Sequence, residues 1–355
     1  MLIKPRAALD AIVPYVPGVA PAESADRALK LASNENPFGP SPRAVEAARA
    51  ALESAERYPD GGSSLLRARL AERHGVAPDQ ILLGGGSDEI FYQLTRAYLE
   101  PGRRVVMARP PYGIHLIAAQ SMGAEIMFLP LRDYTHDLAA MATAAVPQGC
   151  IFVANPHNPT GTAVRPDDLR AFVERVPSDC LVVVDEAYHE FVDPAIRLTA
   201  IDLLDRHPGL VVTRTFSKAY GLAGLRVGYA IASAAVLEPV ERIRPPFNVT
   251  SVSLAAAAAA LDDAAHVEMT VRETASSMRI LVEACERLGL AYVPSHANFL
   301  LVEDRDDWPV ALLAEGITVR PGTTLGMLGW VRVSLGRPDD MRWVVGVIER
   351  TVRAR

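Results

Sequence analysis

Several things are scarce in this sequence, and each shortage excludes a class of protein. It holds three cysteines in 355 residues. Cys150, Cys180 and Cys285 stand far apart, form no CxxC pair and offer no disulfide framework. Long apolar runs are missing. The longest bland stretch, residues 254–261, is mostly alanine, far short of the roughly 20 residues that cross a bilayer. Excess positive charge is missing too: 36 Lys and Arg stand against 42 Asp and Glu, a net charge of −6. The two signs are interspersed, so no basic face for nucleic acid is expected. The N-terminal stretch has no continuous apolar segment and is interrupted by Pro5, Pro14 and Pro17. No signal peptide and a cytoplasmic location are therefore expected. No repeat period or low-complexity segment is visible.

What is present is an ordinary globular composition, half hydrophobic and 22% charged. The length suits one large core with a smaller domain. Residues 1–40 are rich in proline and polar turns, which predicts an extended arm packing with the small domain. A large domain is expected over 41–245 and a small C-terminal domain over 246–355, divided at Pro245-Pro246. From residue 41 helical patterns alternate with short apolar runs. Strands are expected at 81–83, 104–107, 126–129, 150–154, 181–184 and 210–213. Leu181-Val-Val-Val184 is apolar on both faces, the mark of a parallel strand covered on each side. Helices are expected at 42–54, 63–74, 87–99 (capped by Ser87) and 113–122. A long helical stretch over 251–288 leads into strands at 298–302 and 331–334. The fold class is thus α/β: a mainly parallel sheet sandwiched by helices, plus a smaller α+β domain.

Ligands of such sheets bind beyond the carboxyl ends of the strands, and polar residues follow four of these. Gly84-Gly-Gly-Ser87-Asp88-Glu89 stands at a helix start, where glycines and free N–H groups suit an anion. Taken alone, an ordinary tight turn with a serine cap is the better reading of this stretch. Asp185 follows a fully apolar strand, where a carboxylate needs a partner; it is either a helix cap or the ion-pair partner of a buried cation. Lys218 follows Thr215-Phe-Ser217, a poor place for a solvated surface lysine. Burial and neighbouring cations would suppress its charge and make it a nucleophile for carbonyls. Ser217 and Arg226 could then hold a phosphate, and Gly221, Gly224 and Gly228 would let the loop pass close to a ligand. The glycine spacing fits neither a dinucleotide fingerprint nor a P-loop. Asn158, Tyr112 and Tyr188 decide nothing singly. Together these residues offer a phosphate cup, a pyridinium partner, a ring stacker, a ring-oxygen donor and an imine-forming lysine, the parts that pyridoxal 5′-phosphate (PLP) needs.

In this order, Asn158-Pro-Thr-Gly161, Asp185-Glu-Ala-Tyr188 and Ser217-Lys-Ala-Tyr-Gly-Leu-Ala-Gly-Leu-Arg226 resemble the fold-type-I PLP aminotransferases, most nearly the histidinol-phosphate and aromatic branch. The resemblance runs from Tyr15-Val-Pro-Gly18 and Leu31-Ala-Ser-Asn-Glu-Asn-Pro37 to Val331-Arg-Val-Ser-Leu-Gly336. It implies that Lys218 carries the cofactor as a Schiff base and moves the substrate proton. It implies that Asp185 pairs with the pyridine nitrogen, that Asn158 and Tyr188 bond the ring oxygen, and that Tyr112 stacks on the ring. Ser87, the backbone of Asp88, Ser217 and Arg226 would hold the phosphate. Tyr58, in Arg57-Tyr-Pro-Asp60, would reach the phosphate of a neighbouring subunit, so a homodimer is implied. Arg332, with Arg320 as auxiliary, would grip the substrate's anionic group, and Tyr15 would close over it. The implied reaction is ping-pong transfer of an amino group from histidinol phosphate or an aromatic amino acid to 2-oxoglutarate.

The chain departs from the family pattern at Gly336-Arg337, in the glycine- and methionine-rich segment after Arg320, and at Phe247-Asn-Val-Thr250. These departures bear on the substrate and leave the cofactor motifs intact. Two other readings share those motifs. One is another PLP reaction, such as decarboxylation of an amino acid phosphate or oxidation of an amine. The other is a non-catalytic PLP-binding regulator, which would need a DNA-binding domain ahead of residue 31 and a basic surface.

Overall fold

A computed structural model of the chain describes residues 3–18, 28–305 and 307–353. Residues 1–2 and 19–27 of the expected arm lie outside the described residues. After a short strand β1 (Leu29–Lys30), the chain builds β2 (Ile81–Gly84), β3 (Arg104–Arg109), β4 (Glu125–Pro130), β5 (Cys150–Ala154), β6 (Leu181–Asp185), β7 (Leu210–Thr215) and β8 (Gly228–Ala232). The last seven form one sheet in the order β2-β8-β7-β6-β5-β3-β4. Pairing is parallel from β4 through β7, and β8 runs antiparallel to both β7 and β2.

Strand side chains alternate between faces, and the sheet uses this to build a core on each side. Val182, Val184 and Val212 join one cluster with Phe172 and Ala256. Val183 and Val211 join the other with Phe91 and Phe152. Both faces are covered, which is why β5, β6 and β7 are buried throughout and read as unbroken apolar runs. The covering helices start and stop where local chemistry dictates. Ser41 caps the helix Pro42–Leu52 by accepting from the Ala44 amide at 3.1 Å, with proline at the first helical position. Gly75, at φ 65°, ends the helix Ser64–His74.

The expected continuous helix over 251–288 is two helices, Ser251–Leu261 and Ala264–Leu288. Asp263 breaks it, its side chain accepting from the His266 amide as an N-cap. Val249 and the alanines of the first of these helices fill the core beside Ala44. Along the second of these helices, Ala264–Leu288, Leu281 and Ala284 are the first residues to join the core cluster of the C-terminal sheet.

That small domain holds an antiparallel sheet, β12-β13-β10-β9, of β9 (Tyr292–Val293), β10 (Phe299–Glu303), β12 (Arg320–Pro321) and β13 (Trp330–Ser334). Strand β11 (Ile317–Thr318) pairs in parallel with β1. Leu31 sits in the small-domain core, and its carbonyl accepts from the Ser334 amide at 2.9 Å. The earlier part of the arm lies elsewhere: Arg6 donates to the Ser121 carbonyl at 2.7 Å, on the large domain.

Candidate active site

Strands β5 and β6 end at one level, with Ala154 and Asp185 in register with Thr213 of β7, which runs on to Thr215. Asp185 is the last residue of β6 and only 6% exposed. Thr213 donates its hydroxyl to Asp185 Oδ1 at 3.1 Å, and His115 Nε2 lies 3.4 Å from Oδ2. His115 is itself held between Phe152, stacked at 4.7 Å, and Phe91, edge-on at 4.4 Å. A carboxylate this deep is costly unless a positive or donating partner meets it.

The opposite end of the site gathers hydrogen-bond donors. The helix Ser87–Tyr98 starts here, and the first amides of a helix have no partner within it. Ser87 does not cap this helix, contrary to expectation. Gly86, at φ 82°, takes the cap position, and Ser87 is the first helical residue with its hydroxyl free of a cap bond. A side chain on Gly86 would collide with the Arg226 guanidinium, and one on Gly228 with the Gly86 and Ser87 backbone. Their absence lets Arg226 reach the helix start. Arg226 donates to Ser217 Oγ at 3.3 Å and to Asp88 Oδ2 at 3.3 Å, and Thr215 donates to Ser217 Oγ at 3.0 Å.

Between these ends lie the aromatic and amino groups. Tyr112 donates to Asp88 Oδ1 at 3.1 Å, and burial raises its phenol well above the usual range. Tyr188 accepts from Asn34 at 2.9 Å and Asn158 at 3.3 Å; burial pushes its phenol up to about 12. Lys218 Nζ donates to the Ser33 carbonyl at 3.3 Å and lies 5.7 Å from the centre of the Tyr188 ring. Burial, helped by the nearby Arg332 charge, pulls its ammonium down to about 8. The cavity among these groups has a volume of about 200 Å³. Lys218 and every residue expected to touch the cofactor line it, with the exception of Tyr58.

The residues expected to bind substrate sit on the small domain and the arm. Arg332, on β13, is buried and donates to Asn158 Oδ1 at 2.6 Å and to the Ala32 carbonyl at 2.9 Å. Its Nε has no partner. Arg320 pairs in register with Arg332, donates to the Val16 carbonyl at 2.6 Å and lies 5.5 Å from the Tyr15 ring centre. Tyr15 is about half exposed. Tyr58 lies outside the cavity, 81% exposed and stacked on Phe247 at 4.7 Å.

Sequence reasoning missed His115, Thr213, Thr215 and Asn34. Two of them carried a usable signal. Thr215 stands two residues before Ser217 and so shares its side of an extended chain; His115 stands one helical turn after Tyr112. Among the described residues no cluster of His, Cys, Asp and Glu could hold a metal ion, and no helix is long and apolar enough to cross a membrane.

A partly buried amine, a buried carboxylate and a cluster of donors at a helix start, around one cavity at the carboxyl ends of a parallel sheet, define the architecture of the PLP-binding transferases. The chain belongs to the family of class I and II aminotransferases, whose pattern it matches over residues 26–348. Over 97% of each chain it is 45% identical to the histidinol-phosphate aminotransferase of Symbiobacterium thermophilum. It is 47% identical to histidinol-phosphate aminotransferase 2 of Pseudomonas aeruginosa over 92% of each. Its structure resembles that of the histidinol-phosphate aminotransferase of Sinorhizobium meliloti in complex with pyridoxal 5′-phosphate. That match has a TM-score of 0.89 at 28% identity and covers 100% of this chain and 99% of the other. The protein is an aminotransferase of a family that uses PLP.

Proposed function

We propose that this aminotransferase moves the amino group of histidinol phosphate to 2-oxoglutarate, with PLP held through Lys218, as a step of histidine biosynthesis in the cytoplasm. The observation that carries the chemistry is the placement of Lys218, a partly buried amine in a cavity it shares with Asp185 and with Ser217 and Arg226. The identity to histidinol-phosphate aminotransferases over nearly the whole chain supports the substrate.

The residues present fit the cofactor. Lys218 is a partly buried ammonium whose one hydrogen bond among the described residues goes to the Ser33 carbonyl, and its lowered pKa leaves a neutral fraction to attack an aldehyde carbon. The amides of Ser87 and Asp88, the Ser217 and Thr215 hydroxyls and Arg226 converge on a site for a phosphate. Asp185 would hold a proton on the pyridine nitrogen, with Thr213 and His115 fixing its carboxylate. Tyr188 and Asn158 would donate to the ring oxygen, and Tyr112 would cover the ring face. When bound, PLP supplies an electron sink for breaking the bond from Cα to hydrogen.

Lys218 Nζ would hold and move the substrate's Cα proton, acting as a general base and then as an acid. Arg332 and Arg320, two guanidinium groups side by side, would bind the anionic group of the donor and of the acceptor in turn. Tyr15 would cover them. The exposed pair Tyr58–Phe247 would lie at the interface of a homodimer, with Tyr58 reaching the partner's phosphate site.

The test is a donor panel with 2-oxoglutarate, with glutamate formation as the readout. Histidinol phosphate should exceed phenylalanine and aspartate in kcat/KM by at least about tenfold, a difference of roughly 1.4 kcal/mol in transition-state binding. Preference for an aromatic amino acid would contradict the substrate. Release of carbon dioxide without glutamate would contradict the reaction.

A further inference from the structure

One buried charged cluster has no place in the site described above. Arg214 and Glu186 bury 8% and 0% exposed side chains on the sheet. Arg214 Nε and Nη2 both donate to Glu186 Oε2, at 2.9 and 2.7 Å, and Nη2 also donates to Thr199 Oγ1 at 2.9 Å. Glu186 is saturated from its other side: the Ala200 amide donates to Oε1 at 2.6 Å, and the Thr199 hydroxyl donates to Oε2 at 2.8 Å. Glu190 lies 3.9 Å from Arg214 Nη1, and His189 Nδ1 lies 3.6 Å from Glu186 Oε2. Burial works against the charge on Arg214, and Glu186, Tyr229 and Glu190 more than offset it, so the guanidinium stays charged. Neither Glu186 nor Arg214 lines the cavity.

The position of this pair in the chain is what gives it a role. Glu186 directly follows Asp185. Arg214 stands between Thr213, which bonds Asp185, and Thr215, which bonds Ser217. Strand alternation sends Asp185, Thr213 and Thr215 to one face of the sheet and Arg214 to the other, with Val184 and Val212. The Glu186 amide also donates to the Thr213 carbonyl at 2.9 Å. The two strand ends are thus tied by a backbone bond, by Thr213 on the cavity face and by a two-pronged ion pair on the far face. A buried ion pair contributes little net stability compared with apolar packing, whereas it does fix one arrangement.

We propose that Glu186 and Arg214 are positioning residues: their ion pair locks the carboxyl ends of β6 and β7 and so sets the separation of Asp185 from Lys218. This rests on the reading that those two residues hold opposite parts of the cofactor. Misplacement of reacting groups by about 1 Å can cost on the order of a hundredfold in rate, so the clamp acts on turnover and not on donor binding, which Arg332 and Arg320 supply from another domain.

The test uses the holoenzyme and the double variant E186M/R214M, which removes both charges of the pair so that neither is left without the other, and leaves Glu190 beside the gap. The readouts are kcat and KM for whichever donor the wild type uses, and the visible circular dichroism of the bound cofactor, which senses its orientation. The variant should fold, bind the cofactor, keep KM within about twofold and lose at least about tenfold in kcat. Its visible band should also change in sign or intensity. If the double variant does not fold, Arg214→Lys decides: it keeps the charge but not the two-pronged contact, and should lower kcat and alter the band. Folded variants with wild-type kcat and an unchanged band would overturn the clamp alone. A wild-type protein that takes up no cofactor would overturn the functional reading, and the clamp with it.

Discussion

Lys218 is one of three lysines in the chain, and the other two, Lys4 and Lys30, are exposed. A lysine kept at the end of a buried strand in so arginine-rich a sequence points to amine chemistry, because guanidinium cannot be deprotonated to act as a nucleophile. Its environment makes a pH prediction. Burial lowers the ammonium from the usual 10.5 to about 8, and only the neutral amine attacks an aldehyde. The rate at which cofactor-free protein takes up PLP should rise with pH from 6.5 and level off above about 8, followed by stopped-flow absorbance. A rise that continues to 10, as for a solvated lysine, would mean that the cavity does not perturb Lys218.

Elements explain which parts of this site the sequence displays. Strands β3, β5, β6 and β7 are legible because two covered faces demand unbroken apolar runs with polar residues just beyond. Strand β8 escaped because Gly228-Tyr-Ala-Ile-Ala232 is mostly glycine and alanine and begins inside a glycine-rich motif. Two-residue strands such as β1, β9, β11 and β12 carry no period to read. Ser87 was misplaced by one position, since a serine before a helical pattern looks the same at the cap and at the first turn; the positive φ of Gly86 settles which it is. The contact of His115 with Asp185 was invisible because it exists only once β3, β5 and β6 are neighbours. Ser87, Tyr112, Asn158, Asp185 and Ser217, by contrast, sit at a strand end or within a few residues of one, where the chain order itself displays them.

The packing of β8 against the helix start yields a second prediction. A methyl group on Gly228 would press on the Gly86 and Ser87 backbone. Gly228→Ala should cost about 1–3 kcal/mol by overpacking and lower Tm by several degrees, while weakening PLP binding at the anion end. Gly224→Ala is the control, because nothing lies within 4 Å of the added atom, and it should leave both unchanged. Thermal unfolding with a PLP titration reads both. An unchanged Gly228→Ala would show that the close approach is not what shapes the cup.

At the scale of the whole molecule, the site is assembled from three stretches of chain. The large domain gives Asp185, Lys218 and the anion cup. The small domain gives Arg332 and Arg320, and the arm gives Ser33 and Asn34. A fourth contribution is expected from a second copy through Tyr58. Mixing Lys218→Ala protein with Tyr58→Ala protein tests that expectation. If Tyr58 serves the neighbouring site, each hybrid dimer contains one native site and activity rises on mixing. If it serves its own subunit, or no dimer forms, mixing adds nothing. The most direct measurement of the whole account is to add PLP, reduce with borohydride and map the labelled peptide by mass spectrometry. The account predicts a single adduct on Lys218, prevented by prior conversion with the amino donor. A label on Lys4 or Lys30, or no label at all, would contradict it.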